Sequence, residues 1–195
     1  LEELQALNAK IDGLLKNVEA LKDYLSSQPF IDRLIEYLTS KEEPLSDIYV
    51  EEQNIDGINN LDIDSFGVSI NYAQANSIQE IEFSNPTYID EGHYSLDIEL
   101  TTAASIHYCA DYMDYVQLSH RRIKSIDLSS VNGDGVCDLS ESFIVKLQGT
   151  IEVFFDGEWS ALELDTHSAY LNTKKTKIET VLNIESGTIL ESAQR

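Results

Sequence analysis

The stretch HYSLDIELTTAASIHY, residues 93–108, changes side at every residue. Tyr94, Leu96, Ile98, Leu100, Thr102, Ala104 and Ile106 alternate with Ser95, Asp97, Glu99, Thr101, Ala103 and Ser105. A period of two with apolar groups on one face and acids on the other is the pattern of a sheet with one wet side. It excludes a helix here, because a helix would scatter the apolar positions around its axis. The pattern recurs. VSINY places Val68, Ile70 and Tyr72 on one face, IQEIEF follows, and ESFIVKLQGTIEVFF aligns Phe143, Val145, Leu147, Gly149, Ile151 and Val153. Asp156-Gly157 predicts a hairpin turn into EWSALEL, and KIETVLNIE supplies a last strand or short helix.

The N-terminal quarter has a different period. In LEELQALNAKIDGLLKNVEALKDYLSS, the residues Leu4, Leu7, Ile11, Leu14, Val18, Leu21 and Leu25 step by three and four. That is a heptad seam over three heptads. Gly13 and Asn8 weaken it, and Leu1 and Leu15 widen it. A wide stripe suits packing on a globular body; a narrow one suits a coiled coil formed by self-association or with a partner helix. Pro29 opens a second helix whose Phe30, Ile31, Leu34, Ile35 and Leu38 share a face, and Pro44 ends it. LSDIYVEEQNIDGINN reads as a weaker, short helical piece stopped by Gly57. The expected fold class is α+β: N-terminal helices over residues 1–45, then an acidic antiparallel β domain over 46–195. Roughly six or seven strands would form a strongly twisted sheet or a small β-sandwich.

Charge narrows the partners. The 195 residues carry 35 acids against 13 bases, a net −22. Of these, 26 acids and eight bases lie in 46–195, giving that region −18. Such a surface repels nucleic acid and suits a basic partner. No apolar run is long enough to cross a bilayer and no secretory core is visible, so a cytoplasmic setting is expected. Two cysteines, Cys109 and Cys137, are too few for a disulfide scaffold or a zinc knuckle and read as free thiols. Leu1 stands where a start Met would, so the chain is expected to be processed or part of a longer one.

VNGDGVCDLSE, residues 131–141, has the look of a calcium loop. Asn132, Asp134, Asp138 and Glu141 occupy ligand positions and Gly135 the sharp turn. But Ser130 stands where the first carboxylate belongs, and both flanks alternate as strands. A hairpin turn is therefore expected, with calcium held by those four residues as the alternative. No catalytic set emerges. His93, His107, His120 and His167 share no ligand spacing, and no GxSxG, P-loop or dinucleotide fingerprint occurs. Two basic clusters, Arg121, Arg122 and Lys124, and Lys174, Lys175 and Lys177, are expected to pair with carboxylates, or to touch phosphate. Tyr108, Tyr112 and Tyr115 in YCADYMDYVQL form a sheet rim or a contact surface.

The order of parts carries a resemblance. A helical stretch leads to INNLDIDSFGVSI, then IQEIEFSNPTYIDEGHYSLDIELTTAASIHY, a charged loop, and FIVKLQGTIEVFFDGE. Over about residues 46–185 this resembles the acidic β-rich region that follows the PIN-like nuclease domain in a family of bacterial proteins, some associated with phage defence. The resemblance implies an accessory module whose nuclease chemistry lies upstream, and carries no catalytic residue and no cofactor onto this chain. The expected function is a non-catalytic protein-interaction module that docks through Leu4, Leu7, Ile11, Leu14, Val18 and Leu21. The alternative is an acidic mimic of nucleic acid that inhibits an enzyme with a basic groove.

Overall fold

The computed structural model describes residues 2–40, 45–50, 65–90, 93–118, 124–155, 169–171 and 178–192. Two helices, α1 (Glu2–Leu25) and α2 (Gln28–Ser40), precede β1 (Ser46–Tyr49), β2 (Ser65–Ala73), β3 (Glu80–Asp90) and β4 (His93–Asp111). Then come α3 (Tyr112–Gln117), β5 (Asp127–Val131), β6 (Val136–Phe155), β7 (Ala169–Leu171) and β8 (Ile178–Ser192). The fold is α+β, with an antiparallel sheet after the helices. Its order is β1-β2-β4-β6-β8-β7, with β3 on β4 and β5 on β6, so the described strands belong to one sheet rather than the two of a sandwich. β7 runs parallel to β8.

The alternation that defined the strands decides the core. Along β4 every even residue from Tyr94 to Ala110 is buried. Along β6 the same holds for Cys137, Leu139, Glu141, Phe143, Val145, Leu147, Ile151 and Val153. Each fully buried Leu, Ile, Val or Phe among them contributes about 1.5–3 kcal/mol, so a strand of this length has one stable register.

Contacts divide the chain into two units. One holds residues 1–37, 83–98 and 150–182; the other holds 38–82, 99–149 and 183–195. Their segments alternate along the chain because the strands are long: β4, β6 and β8 are 19, 20 and 15 residues long, and each contributes to both units.

In the first unit, α1 meets α2 across a two-residue corner. Ser27 Oγ donates to the carbonyl of Tyr24 at 2.6 Å, satisfying one of the orphan acceptors at the end of α1. The Ser27 carbonyl accepts from Phe30 and Ile31 and starts α2, with Pro29 in its first turn where no amide is needed. Leu21, Tyr24, Leu25, Phe30 and Leu34 are buried. The Phe30 ring lies 5.2 Å from Tyr24 and 6.1 Å from Phe83 of β3.

In the second unit the strand path returns to its start. β1 pairs with β2, β2 with β4, β4 with β6 and β6 with β8, and Val50, just past β1, forms a parallel bridge to Gly187 of β8. The bridge brings the start of the path to β8, and Ile48, Ile70, Leu100, Ile106, Tyr108, Phe143, Val145 and Leu147 of these strands are buried. Gly187 faces inward, against the Cδ1 atom of Ile70, where a side chain would compete for core space. Gly67, at φ 65°, sits at a register shift between Phe66 and Ser69 and supplies the conformation that a bulge there needs.

Two local expectations are corrected. The piece starting at Leu45, read as a short helix, is strand over Ser46–Tyr49: Ile48 and Val50 are buried, Tyr49 points out, and Ile48 pairs with Ile70. Pairing to β2 outweighs a weak local helical preference. The tyrosine-rich stretch, read without a helix as a sheet rim or a contact surface, turns into α3 after β4, because Asp111 Oδ1 accepts the Met113 amide at 2.7 Å and caps the helix. The last strand, β8, resolves the strand-or-helix choice for KIETVLNIE. The turn at 156–157, EWSALEL, and residues 51–60 lie outside the described residues.

Candidate functional site

Among its described side chains, α1 buries only those at its C-terminal end. Leu21 and Leu25 are completely enclosed, whereas Leu4, Leu7, Ile11 and Leu15 are 61%, 54%, 46% and 58% exposed. Val18, half-buried, marks the transition. Of the seam residues predicted to make contact, the structure thus leaves Leu4, Leu7 and Ile11 on a free apolar face and puts Leu21 in the core of its own unit. The Leu14 side chain lies outside the described residues. Isolated exposed leucines are ordinary; four large apolar groups in sequence on one helix are a patch.

The four predicted calcium ligands are not brought together. β5 and β6 form a hairpin in which Val131 pairs with Cys137. The Asn132 side-chain oxygen accepts the amides of Asp134 at 3.1 Å and Val136 at 2.9 Å, so the turn itself uses it. Gly135 takes φ 80°. Asp138 and Glu141 are an odd number of residues apart on β6 and point to opposite faces. Asp138 accepts from Ser130 and Cys109, and these bonds, Ser130 first, hold its carboxyl below the usual carboxylate range. Glu141 is turned into the core, where Ser125 Oγ donates to it at 3.3 Å. No cluster of three or more metal-ligating side chains occurs among the described residues.

The outer face of β3, β4 and β6 is acidic. Glu80, Glu82 and Asp97 are exposed. Glu99 accepts from Gln148 Nε2 at 2.7 Å and from Lys146 Nζ at 3.0 Å, and these bonds hold its carboxyl below the usual range. The same contact raises the Lys146 ammonium. Nearer the start of β4, Asn85 donates to Asp97 at 2.7 Å, while His93 stacks on Phe154 and meets Glu152 at 3.1 Å. Each of these contacts ties a polar group to its cross-strand neighbour, which is how a wet sheet face is stabilised. They present no nucleophile beside a base.

Cys109 and Cys137 are free thiols. Burial raises both, and the Asp138 carboxylate adds to the effect at Cys109. Burial likewise pushes the Tyr24 phenol up to about 12, and its hydroxyl has no hydrogen-bond partner among the described residues. None of these groups is activated; each is shifted toward its neutral form. His107 is half-buried on β4 and Lys124 is exposed, while His120, His167, Arg121, Arg122 and the lysines at 174, 175 and 177 lie outside the described residues.

The helical form of α3 is what pattern reading missed at this surface. Tyr112, Met113 and Val116 are exposed, and the rings of Tyr112 and Tyr115 stack at 6.2 Å. The signal was present in Asp111, a capping residue two positions before Met113, but the preceding alternation masked it. No described helix is long and apolar enough to cross a membrane. Comparison with protein-family models, with curated proteins and with solved structures finds no match.

Proposed function

We propose that this chain is a non-catalytic interaction module that docks through the N-terminal half of α1. One observation carries the reading: the apolar face of Leu4, Leu7, Ile11 and Leu15 is built but left uncovered. A face used only for the fold would be buried along its length, as Leu21 and Leu25 are. The sheet supplies an acidic surface, and its described polar groups hold one another instead of reacting. Such a module would serve as the accessory region of a larger enzyme such as a PIN-like nuclease, as the sequence resemblance implies.

The test is a double variant, Leu4→Asp with Ile11→Asp, melted at low micromolar concentration. Exposed positions tolerate substitution within about 0.5 kcal/mol, so its Tm is expected to stay within about 2–4 °C of the parent. A much larger drop would mean that the face packs on its own body, and docking would fall. Hydrolysis of RNA or DNA by the purified chain with magnesium or manganese would overturn the non-catalytic half.

The acidic outer face favours a second reading, a mimic of nucleic acid that occupies a basic groove. Glu80 and Glu82 would stand in for phosphates. Such a contact weakens steeply with ionic strength, whereas docking on the α1 face does not. A complex insensitive to half-molar salt would rule the mimic out.

A further inference from the structure

We infer that the occupant of the α1 face is a second copy of this chain, paired with it in parallel and in register as a short two-helix coil. This rests on the docking reading above and names its partner. In the heptad frame of the seam, Leu4, Ile11 and Val18 take one core position, and Leu7, Leu14 and Leu21 the other. Ile11 and Val18 are β-branched, Leu4 is not, and the second position is leucine throughout; β-branched residues at the first position with leucine at the second favour a parallel two-stranded coil.

Charge selects the same arrangement. The chain carries −22 in all, but α1 holds Glu2, Glu3, Asp12, Glu19 and Asp23 against Lys10, Lys16 and Lys22, a net of only −2. Two strongly acidic copies repel each other over most of their surface and can approach at this nearly neutral helix. In a parallel pair over the free stretch the flanking contacts are Glu3 with Asn8 and Lys10 with Leu15 of the second copy, and no like charges meet. In an antiparallel pair over the same free stretch, Lys10 would face Lys10. Lys10–Leu15 also gives the exposed Leu15 a cover, the aliphatic stem of lysine.

Size sets the strength. Leu21 and Leu25 are already enclosed in their own unit, so about two heptads remain for pairing. That is below the area of a standard stable interface, and the dimer is reversible and concentration-dependent. The bodies stay apart, which the acid surface requires.

Sedimentation equilibrium from about 1 μM to 1 mM spans the range in which such a dimer forms. The mass is expected to rise from 21.9 kDa toward twice that value, and at lower concentration in half-molar than in low salt, because salt screens the repulsion between the two acidic copies. Ile11→Asp is expected to raise the dissociation constant about a hundredfold or more. Leu7→Cys is expected to cross-link to itself under mild oxidation beyond the parent, whose own two thiols are the control. Monomer at every concentration overturns the pairing. If the Leu4→Asp, Ile11→Asp variant then melts as the parent does, the face stays free for another helix and the docking reading stands; if it melts far lower, that reading falls too. A dimer that survives Ile11→Asp, or fails to cross-link through Leu7→Cys, uses another surface or orientation and also overturns the proposal.

Discussion

Gly149 of β6 lies against the backbone carbonyl of Asn183 in β8, so close that a methyl group on Gly149 would overlap it and also press on Ile184 Cα at 2.8 Å. Backbone cannot step aside as a flexible side chain can. The glycine is therefore required by contact and not by conformation, since its φ is not positive. Gly149→Ala is expected to destabilise the chain by about 3 kcal/mol, the upper range of overpacking, read as a lower urea midpoint. Gly13 in α1 has nothing within 4 Å. Gly13→Ala there is expected to add about 0.5–1 kcal/mol from helix propensity alone.

The Glu99–Lys146 contact gives stability a pH window. The Glu99 carboxyl is held below its ordinary 4.5 by Gln148 and then Lys146, so its share is present above 4.5 and is lost as pH falls through the lowered folded value. The Lys146 ammonium is raised above its ordinary 10.5, so its share is present below 10.5 and disappears as pH rises through the raised value. Between those limits the pair is intact. Glu99→Gln is expected to flatten the loss of stability on acidification below pH 4.5, in urea melts taken stepwise from pH 7. An unchanged acid slope would show that the contact is not made in solution.

Calcium is expected to have no specific effect. Asn132 is committed to the amides of Asp134 and Val136, and Asp138 and Glu141 face opposite ways. Any divalent cation will screen a chain of −22, so magnesium is the control. Millimolar calcium is expected to shift Tm by no more than equal magnesium, within about 1 °C. A calcium-selective rise of several degrees would mean that the hairpin rearranges around an ion.

The two thiols are expected to be slow. Burial raises both, and Cys137 is fully enclosed. Titration with a thiol-specific disulfide reagent at pH 7 is expected to label Cys109 before Cys137, and to reach two thiols per chain only in urea. Rapid release of two equivalents from the folded chain would contradict the packing of β4 against β6.

Much of this fold is legible in particular residues. The alternation from Tyr94 to Ile106 is the strand β4 with the expected side inward, and the Gly135 turn is the expected hairpin. The short β1 was not legible, because Ile48 is a strand residue only through its pairing with Ile70. α3 was hidden for the opposite reason: a strong alternating run ends at Asp111, and one capping carboxylate reverses the local preference. The apolar face of α1 was legible as a seam; its division into a free and an enclosed half was not.

Periodicity, then, was settled by the chain alone: which residues share a face, where the repeat changes from helical to pleated, and how far negative charge outweighs positive. The tertiary structure decided what each face meets. It brought the start of the strand path to β8 through Val50 and Gly187, put Glu141 inside and Asp138 outside the same strand, and covered Leu21 while leaving Leu7 bare. The reason is physical. A side chain's direction follows from local backbone geometry, which neighbouring residues encode, but its partner is set by segments as distant in sequence as Gly187 is from Val50, and no local pattern specifies them.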